Sequence, residues 1–379
     1  MKILDRYVLL SFLRDYLISF LVLIGTYIVL DMVIAFDELF EFRGVQQLSS
    51  FDVAWAIADY YFHQAFLIFV HLSGVIPVVA AAFTLIRMSR FNELSAILAA
   101  GVPLLRVAAP ILIATVALQV LLAVDQEVII PRMVAKLTPA KDEIYRTSSA
   151  KSFPVQAMQD EFNALLFAGK YEEPGGDKTR AILREVDIIE RDAELRPLAH
   201  TTAERAEWDR VRQQWNLAKG RKVEGLLPDQ QRGDPKTALS YKSNITPDEI
   251  TLWHSGEYVN LLSRERINQL LERPQIYGAN NLLRVKHFRL SQLIMNFVMV
   301  AVAIPCVLTR EPGRLKNSIA RCLVLVGLCM AGYFVAYQIA GFPPAGWGDR
   351  WPAMLAFAPV IVFSVVAVFL LDRLANKNT

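Results

Sequence analysis

Residue types able to do chemistry are sparse in this chain, and their spacing excludes more than it builds. The five histidines, His63, His71, His200, His254 and His287, are scattered, without the short intervals that place metal ligands side by side. No G-x-x-x-x-G-K-[ST] loop is present, so there is no phosphate-cradling turn with which to hydrolyse a nucleotide. The three cysteines, Cys306, Cys322 and Cys329, lie in apolar runs, so no disulfide framework supports the polar middle of the chain. His71, inside an apolar run, reads as a helix-to-helix hydrogen-bonding residue before it reads as a ligand.

The one segment where charge and apolar side chains are set at a working period is residues 89–109, SRFNELSAILAAGVPLLRVAA. Ser89 or Asn92 can act as N-cap, and Glu93 then sits where the helix dipole favours an anion. Gly101 and Pro103 supply the stop. Phe91, Leu94, Ile97 and Leu98 share one side of the wheel, with Arg90, Glu93 and Ala100 elsewhere. Such a helix, about 89–101, is too short to cross a bilayer, which takes about 20 residues. It is either a docking helix or an amphipathic linker lying on the membrane surface.

The elements around it are membrane spans. Of 379 residues 54% are hydrophobic and mean hydropathy is +0.32, a balance that points away from a soluble globular chain. Residues 16–36, 64–86 and 107–124 precede a polar insert of residues 125–289, and residues 290–308, 322–341 and 351–371 follow it. The expected fold is therefore α-helical and membrane-embedded, three spans plus three, with an inserted domain between them. The N-terminal apolar run continues past signal-peptide length and reads as the first span.

Basic residues set the orientation. Lys2, Arg6 and Arg14 precede span one; Arg87, Arg90 and Arg106 flank the short helix; Arg310, Arg314, Lys316 and Arg321 join spans four and five; Arg373 and Lys377 follow span six. Both termini and the short helix are then cytoplasmic and the insert faces outward. Within the insert, residues 162–173, 179–192 and 213–225 read as strands of an antiparallel sandwich, and residues 247–273 turn helical. Asp31 is the one ionisable group read inside a span, which argues against ion-coupled transport and for energy supplied by a partner.

The stretch RMSRFNELSAILAAGVPLLRV, the opening LDRY, the insert stretch TAERAEWDRVRQQWNLAKGR and the three-insert-three layout together resemble the LptF/LptG (YjgP/YjgQ) permease family over essentially the whole chain. LDRY is more similar to LptG than to LptF. The resemblance implies a transmembrane permease of an ABC transporter that extracts lipopolysaccharide from the inner membrane of a Gram-negative bacterium. It implies a separate LptB-like ATPase that holds the ATP, a second LptF-like permease, and an LptC/LptA-like periplasmic bridge. It implies that the insert is a periplasmic β-jellyroll that passes on the lipid. No cofactor of the chain's own and no nucleic acid enter this picture.

Residue by residue, Glu93 matches the acidic residue of the family's coupling helix, with Arg90, Phe91, Leu94 and Leu98 as its neighbours against the ATPase. Where relatives carry a basic residue at the outer end of span one, this chain has Asp31, Ala35, Asp37 and Glu38. Arg132, Lys136, Arg284 and Lys286 would then supply charge to an anionic headgroup, or would be ordinary interfacial anchors. Spans one and five would line the lipid cavity. Two other readings stand beside this one: a mechanical permease that moves no lipid, and a membrane scaffold without an ATPase.

Overall fold

The computed structural model describes residues 3–34, 50–133, 137, 152–172, 180–227, 233–254, 258–272, 279–308, 315–344, 346–348 and 350–376. The chain divides into two compact units: residues 1–34, 64–131 and 280–379 form one, and residues 35–63 and 132–279 the other.

The first unit is helical. Its long elements are α1 (Ile3–Ile34), the second part of α2 (Ser50–Leu72), α3 (Val75–Arg90), the short α4 (Glu93–Ala99) and α5 (Leu104–Val124). After the second unit come α9 (Ala279–Val307), α10 (Leu315–Ala340) and α11 (Arg350–Asn376). Five helices among the described residues are long and apolar enough to cross a membrane, or six if the pair Ala54–Leu72 and Val75–Arg90, bent by 71°, forms one span.

That bend corrects the expectation of a straight second span. Pro77 has no N–H to give, and in an unbroken helix its ring would press on the carbonyl of Ser73, four residues back. At the first turn of a new helix the same residue costs little, so the chain restarts at Val75. Gly74 fits the restart because a Cβ there would collide with the Met299 side chain and lie 2.7 Å from Asn296 Oδ1. The Val70 carbonyl at the break is not left bare, as lipid demands: Ser73 Oγ donates to it at 2.7 Å, and Gln292 Nε2 donates to the same oxygen at 2.9 Å.

α9 is the most deeply buried long helix of this unit. Met295, Met299, Val300, Ala303, Ile304 and Val307 pack with Val8 and Phe12 of α1, Val78, Leu85 and Met88 of α3, and Val107 and Ile111 of α5. Leu10, Leu13, Leu17 and Leu21 of α1 point outward, an arrangement suited to a lipid-facing wall. His71 Nδ1 bonds the carbonyl of Leu67 in its own helix at 2.8 Å, so it serves one helix and not the expected pair.

The second unit contains a six-stranded antiparallel sheet whose strands β1 (Ser152–Gln159), β2 (Leu165–Glu172), β3 (Ile182–Arg191), β4 (Pro197–Asp209), β5 (Gln214–Glu224) and β6 (Lys236–Lys242) neighbour one another in chain order. The three stretches read as strands are strands. Their arrangement differs from the expected sandwich: the described strands make one meander. Asp160, Asp192 and Asp209 begin three of the turns, each carboxylate accepting backbone N–H groups of the turn it starts.

One face of this sheet is filled. Trp208 and Trp215 face each other across β4 and β5 with ring centroids 5.1 Å apart, and Trp215 Nε1 donates to Ile245 O at 3.0 Å. Tyr171, Leu183, Ile188 and Ala206 complete that face, and Ile245 and Ile250 pack against it. The helical stretch expected at 247–273 is three short helices, α6 (Pro247–His254), α7 (Tyr258–Leu261) and α8 (Arg264–Leu271). Ser263 caps α8 by accepting from Arg266 N.

Candidate functional site

The short helix expected between spans two and three is present as α4, seven residues long. It starts later than the sequence suggested. Ser89 is buried in the last turn of α3, so it cannot cap α4. Asn92 occupies the cap position with φ 58°, in the left-handed region that Asn tolerates, and its side chain makes no capping bond. At the other end Gly101 has φ +76°, its N–H donates to Leu98 O at 3.0 Å, and Val102 N–H donates to Ile97 O at 3.3 Å. This pair of bonds closes the helix and requires a residue free to adopt positive φ.

The apolar face of α4 is turned inward. Leu94 is 2% exposed and belongs to the core built on α9, while Ile97 and Leu98 pack against that core from partly buried positions. Phe91 shares their side of the wheel in sequence but lies before the helix and is 66% exposed. The outward surface is made by Arg90, Phe91, Ser95, Ala96 and Ala99, with Glu93 half-buried beside it.

Three polar links join α1 to the elements that carry α4. Tyr7 Oη donates to Glu93 Oε2 at 2.7 Å. Arg106, in the first turn of α5, lies 3.8 Å from the Asp5 carboxylate. Deeper, Asp15 accepts from Arg87 Nη1 at 3.1 Å and from Thr84 Oγ1 at 2.8 Å. Thr84 also shares the carbonyl of Ala80. Arg14 Nε lies 3.4 Å from the same carboxylate, so the buried acid of Asp15 meets two cations, Arg87 being the nearer. Leu94 by packing and Glu93 by hydrogen bonding thus make α4 part of a rigid block that includes the start of α1.

Sequence reasoning missed Asp15 because the first span was begun at residue 16. The helix runs from Ile3 to Ile34, so Asp15 lies within it, and Asp31 is not the one ionisable group in the spans.

Of the basic residues expected to meet a headgroup, three are described. Arg132 is exposed and belongs to the second unit. Lys136 lies outside the described residues. Arg284 and Lys286 are half-buried on α9, two residues apart and so on different faces. Arg284 is the more developed: its guanidinium lies 4.4 Å from the Tyr337 ring centroid, Nη2 donates to Asn281 Oδ1 at 2.7 Å, and Nε is buried without a hydrogen-bond partner among the described residues.

Among protein-family models, that of the lipopolysaccharide export system permease LptF/LptG matches residues 6–373. The chain belongs to the LptF/LptG family. The match takes in nearly the whole chain, α4 and the β sheet included. A comparison with curated proteins finds no match. As a family member with several long apolar helices, this is a multi-pass membrane protein and a transporter component, not an enzyme in the usual sense.

Proposed function

We propose that this LptF/LptG permease takes lipopolysaccharide from the inner membrane and passes it into its β unit, driven by a cytoplasmic LptB-like ATPase that docks on α4. The observation that carries this reading is the mounting of α4: its apolar side is anchored in the unit's own core, and Arg90 and Phe91 are left outward for a partner. A push on that surface is transmitted, because α4 cannot move without Leu94, and Glu93 takes Tyr7 and α1 with it.

In this reading the ATP is held by the ATPase, and a second, LptF-like permease faces this one. The exposed apolar side of α1, with α10, lines the lipid cavity between the two. Arg284 and Lys286, with Arg132 and Lys136, offer positive charge to the anionic headgroup. The β unit serves as a jellyroll-like carrier toward an LptC/LptA-like bridge. Both termini and α4 are cytoplasmic and the β unit is periplasmic.

A second reading, a permease that works a periplasmic partner without moving lipid, draws support from the sheet face filled by Trp208, Trp215 and Tyr171. Purification of the tagged chain from its native membrane in mild detergent separates the two. Copurification of an ATPase, a second permease and lipopolysaccharide is expected; an ATPase without lipid favours the second reading, and the absence of both overturns ATP-driven export.

A further inference from the structure

Among the described residues, two carboxylates are buried in the helical unit, and the fold treats them differently. Asp15 has Arg87, Thr84 and Arg14 as partners. Asp125 is 2% exposed, and neither of its oxygens has a hydrogen-bond partner among the described residues.

Asp125 opens a single π-helical turn, Asp125–Ile129, that interrupts the third span before its last turn, Ile130–Arg132. The Ile130 N–H reaches back to the Asp125 carbonyl, one residue further than in an α-helix. Such a turn spoils the regular bonding of the helix and is found chiefly where something is bound or moved. The neighbouring polar side chains are engaged elsewhere. Gln126 Nε2 donates to Gln292 Oε1 at 3.1 Å, Gln292 Nε2 donates to Val70 O and Ser73 Oγ, and Asn296 Nδ2 donates to Ser73 Oγ and Gln119 Oε1. Glu127 lies in the same turn and Arg289 on α9, and neither hydrogen-bonds Asp125. Arg289 is drawn electrostatically to Glu127 and Tyr337.

A carboxylate stripped of water and given no donor does not persist as a bare anion; its charge is matched from outside the chain. At 2% exposure the carboxylate is covered by the chain's own atoms and does not lie on a surface that a partner's side chain meets, and a small ion is the counter-charge that can reach it. We propose that Asp125 is a binding site for a small monovalent cation, a proton or a sodium ion, within the third span. The carboxylate supplies the charge at the head of the π-helical turn.

The test uses the full permease in membranes. Dicyclohexylcarbodiimide partitions into apolar surroundings and adds to a protonated carboxyl, and peptide mass spectrometry reads the adduct. In sodium-free potassium buffer the expected result is labelling of Asp125 and none of Asp15. Loss of that labelling on adding sodium chloride identifies sodium as a competing occupant, and labelling indifferent to sodium identifies the proton. An infrared difference spectrum between wild type and Asp125→Asn gives a second readout, with the carboxylic-acid C=O band expected to vanish in the variant; either signal supports the site. No adduct at Asp125 together with no lost carboxylic-acid band overturns it.

Discussion

Tyr7 and Glu93, eighty-six residues apart, are joined by a 2.7 Å hydrogen bond from the phenol to the carboxylate. The bond links the first turns of α1 to the first residue of α4. Tyr7→Phe removes it while leaving the ring and the carboxylate in place. The bond is exposed, so a loss of about 1 kcal/mol is expected, or roughly a fivefold fall in lipid-coupled ATP turnover. Glu93→Ala should do more, because it removes the tie and the acidic group offered to the ATPase. Turnover in reconstituted complexes checks both, and wild-type coupling in Glu93→Ala would sink the docking role.

Asp15 and Arg87 should act as a unit. Arg87→Met takes the nearer cation from the Asp15 carboxylate, leaving Arg14 at 3.4 Å, and is expected to destabilise the helical unit by about 1–3 kcal/mol. The double variant Asp15→Leu, Arg87→Met removes both charges and should recover most of that loss. Thermal midpoints in detergent measure the cycle; equal losses in single and double variants would mean that the pair contributes through shape alone.

Gly74 is predicted to admit no side chain. Gly74→Val should cost about 1–3 kcal/mol, since it drives a side chain into Met299 and Asn296 beside the break. Met299→Ala in the same chain should return part of the loss by making room. Midpoint shifts again decide, and a neutral Gly74→Val would show that the break has space to relax.

Tyr241 donates to Asp160 at 2.5 Å in the β unit. Burial, and then the bond to Asp160, hold its phenol well above the ordinary value. With the folded value raised above an unfolded value of about 10, the stabilisation is fully present below about pH 10 and is lost as pH rises through the folded value. Tyr241→Phe should therefore lower stability at neutral pH, by about 1–3 kcal/mol, and flatten the alkaline loss seen in wild type. Tryptophan fluorescence from Trp208 and Trp215 reports both.

Much of this fold was legible in the chain. Apolar length gave the spans, alternation gave the strands in residues 162–173, 179–192 and 213–225, and the period of Leu94, Ile97 and Leu98 gave α4. The period could not say what covers that face. Leu94 meets the chain's own α9 core and Phe91 faces out, a difference of direction that an amphipathic wheel does not contain. The break in span two was written in Gly74 and Pro77 but hidden by an uninterrupted apolar run. The links of Asp5, Tyr7 and Asp15 are long-range, and local pattern carries no register between α1 and the elements around α4. For the same reason the strands were readable and their order in one meander was not.

The central claim is that α4 presents Arg90 and Phe91 to an ATPase while Leu94 holds it to the permease. A photo-crosslinking amino acid at Phe91, compared with one at Ser95 and one at Leu94, tests it in the native membrane. The account predicts crosslinks to a soluble ATPase from positions 91 and 95, and only internal crosslinks from position 94. Lipid adducts from positions 91 and 95, with no ATPase captured, would contradict it and return α4 to a linker lying on the membrane surface.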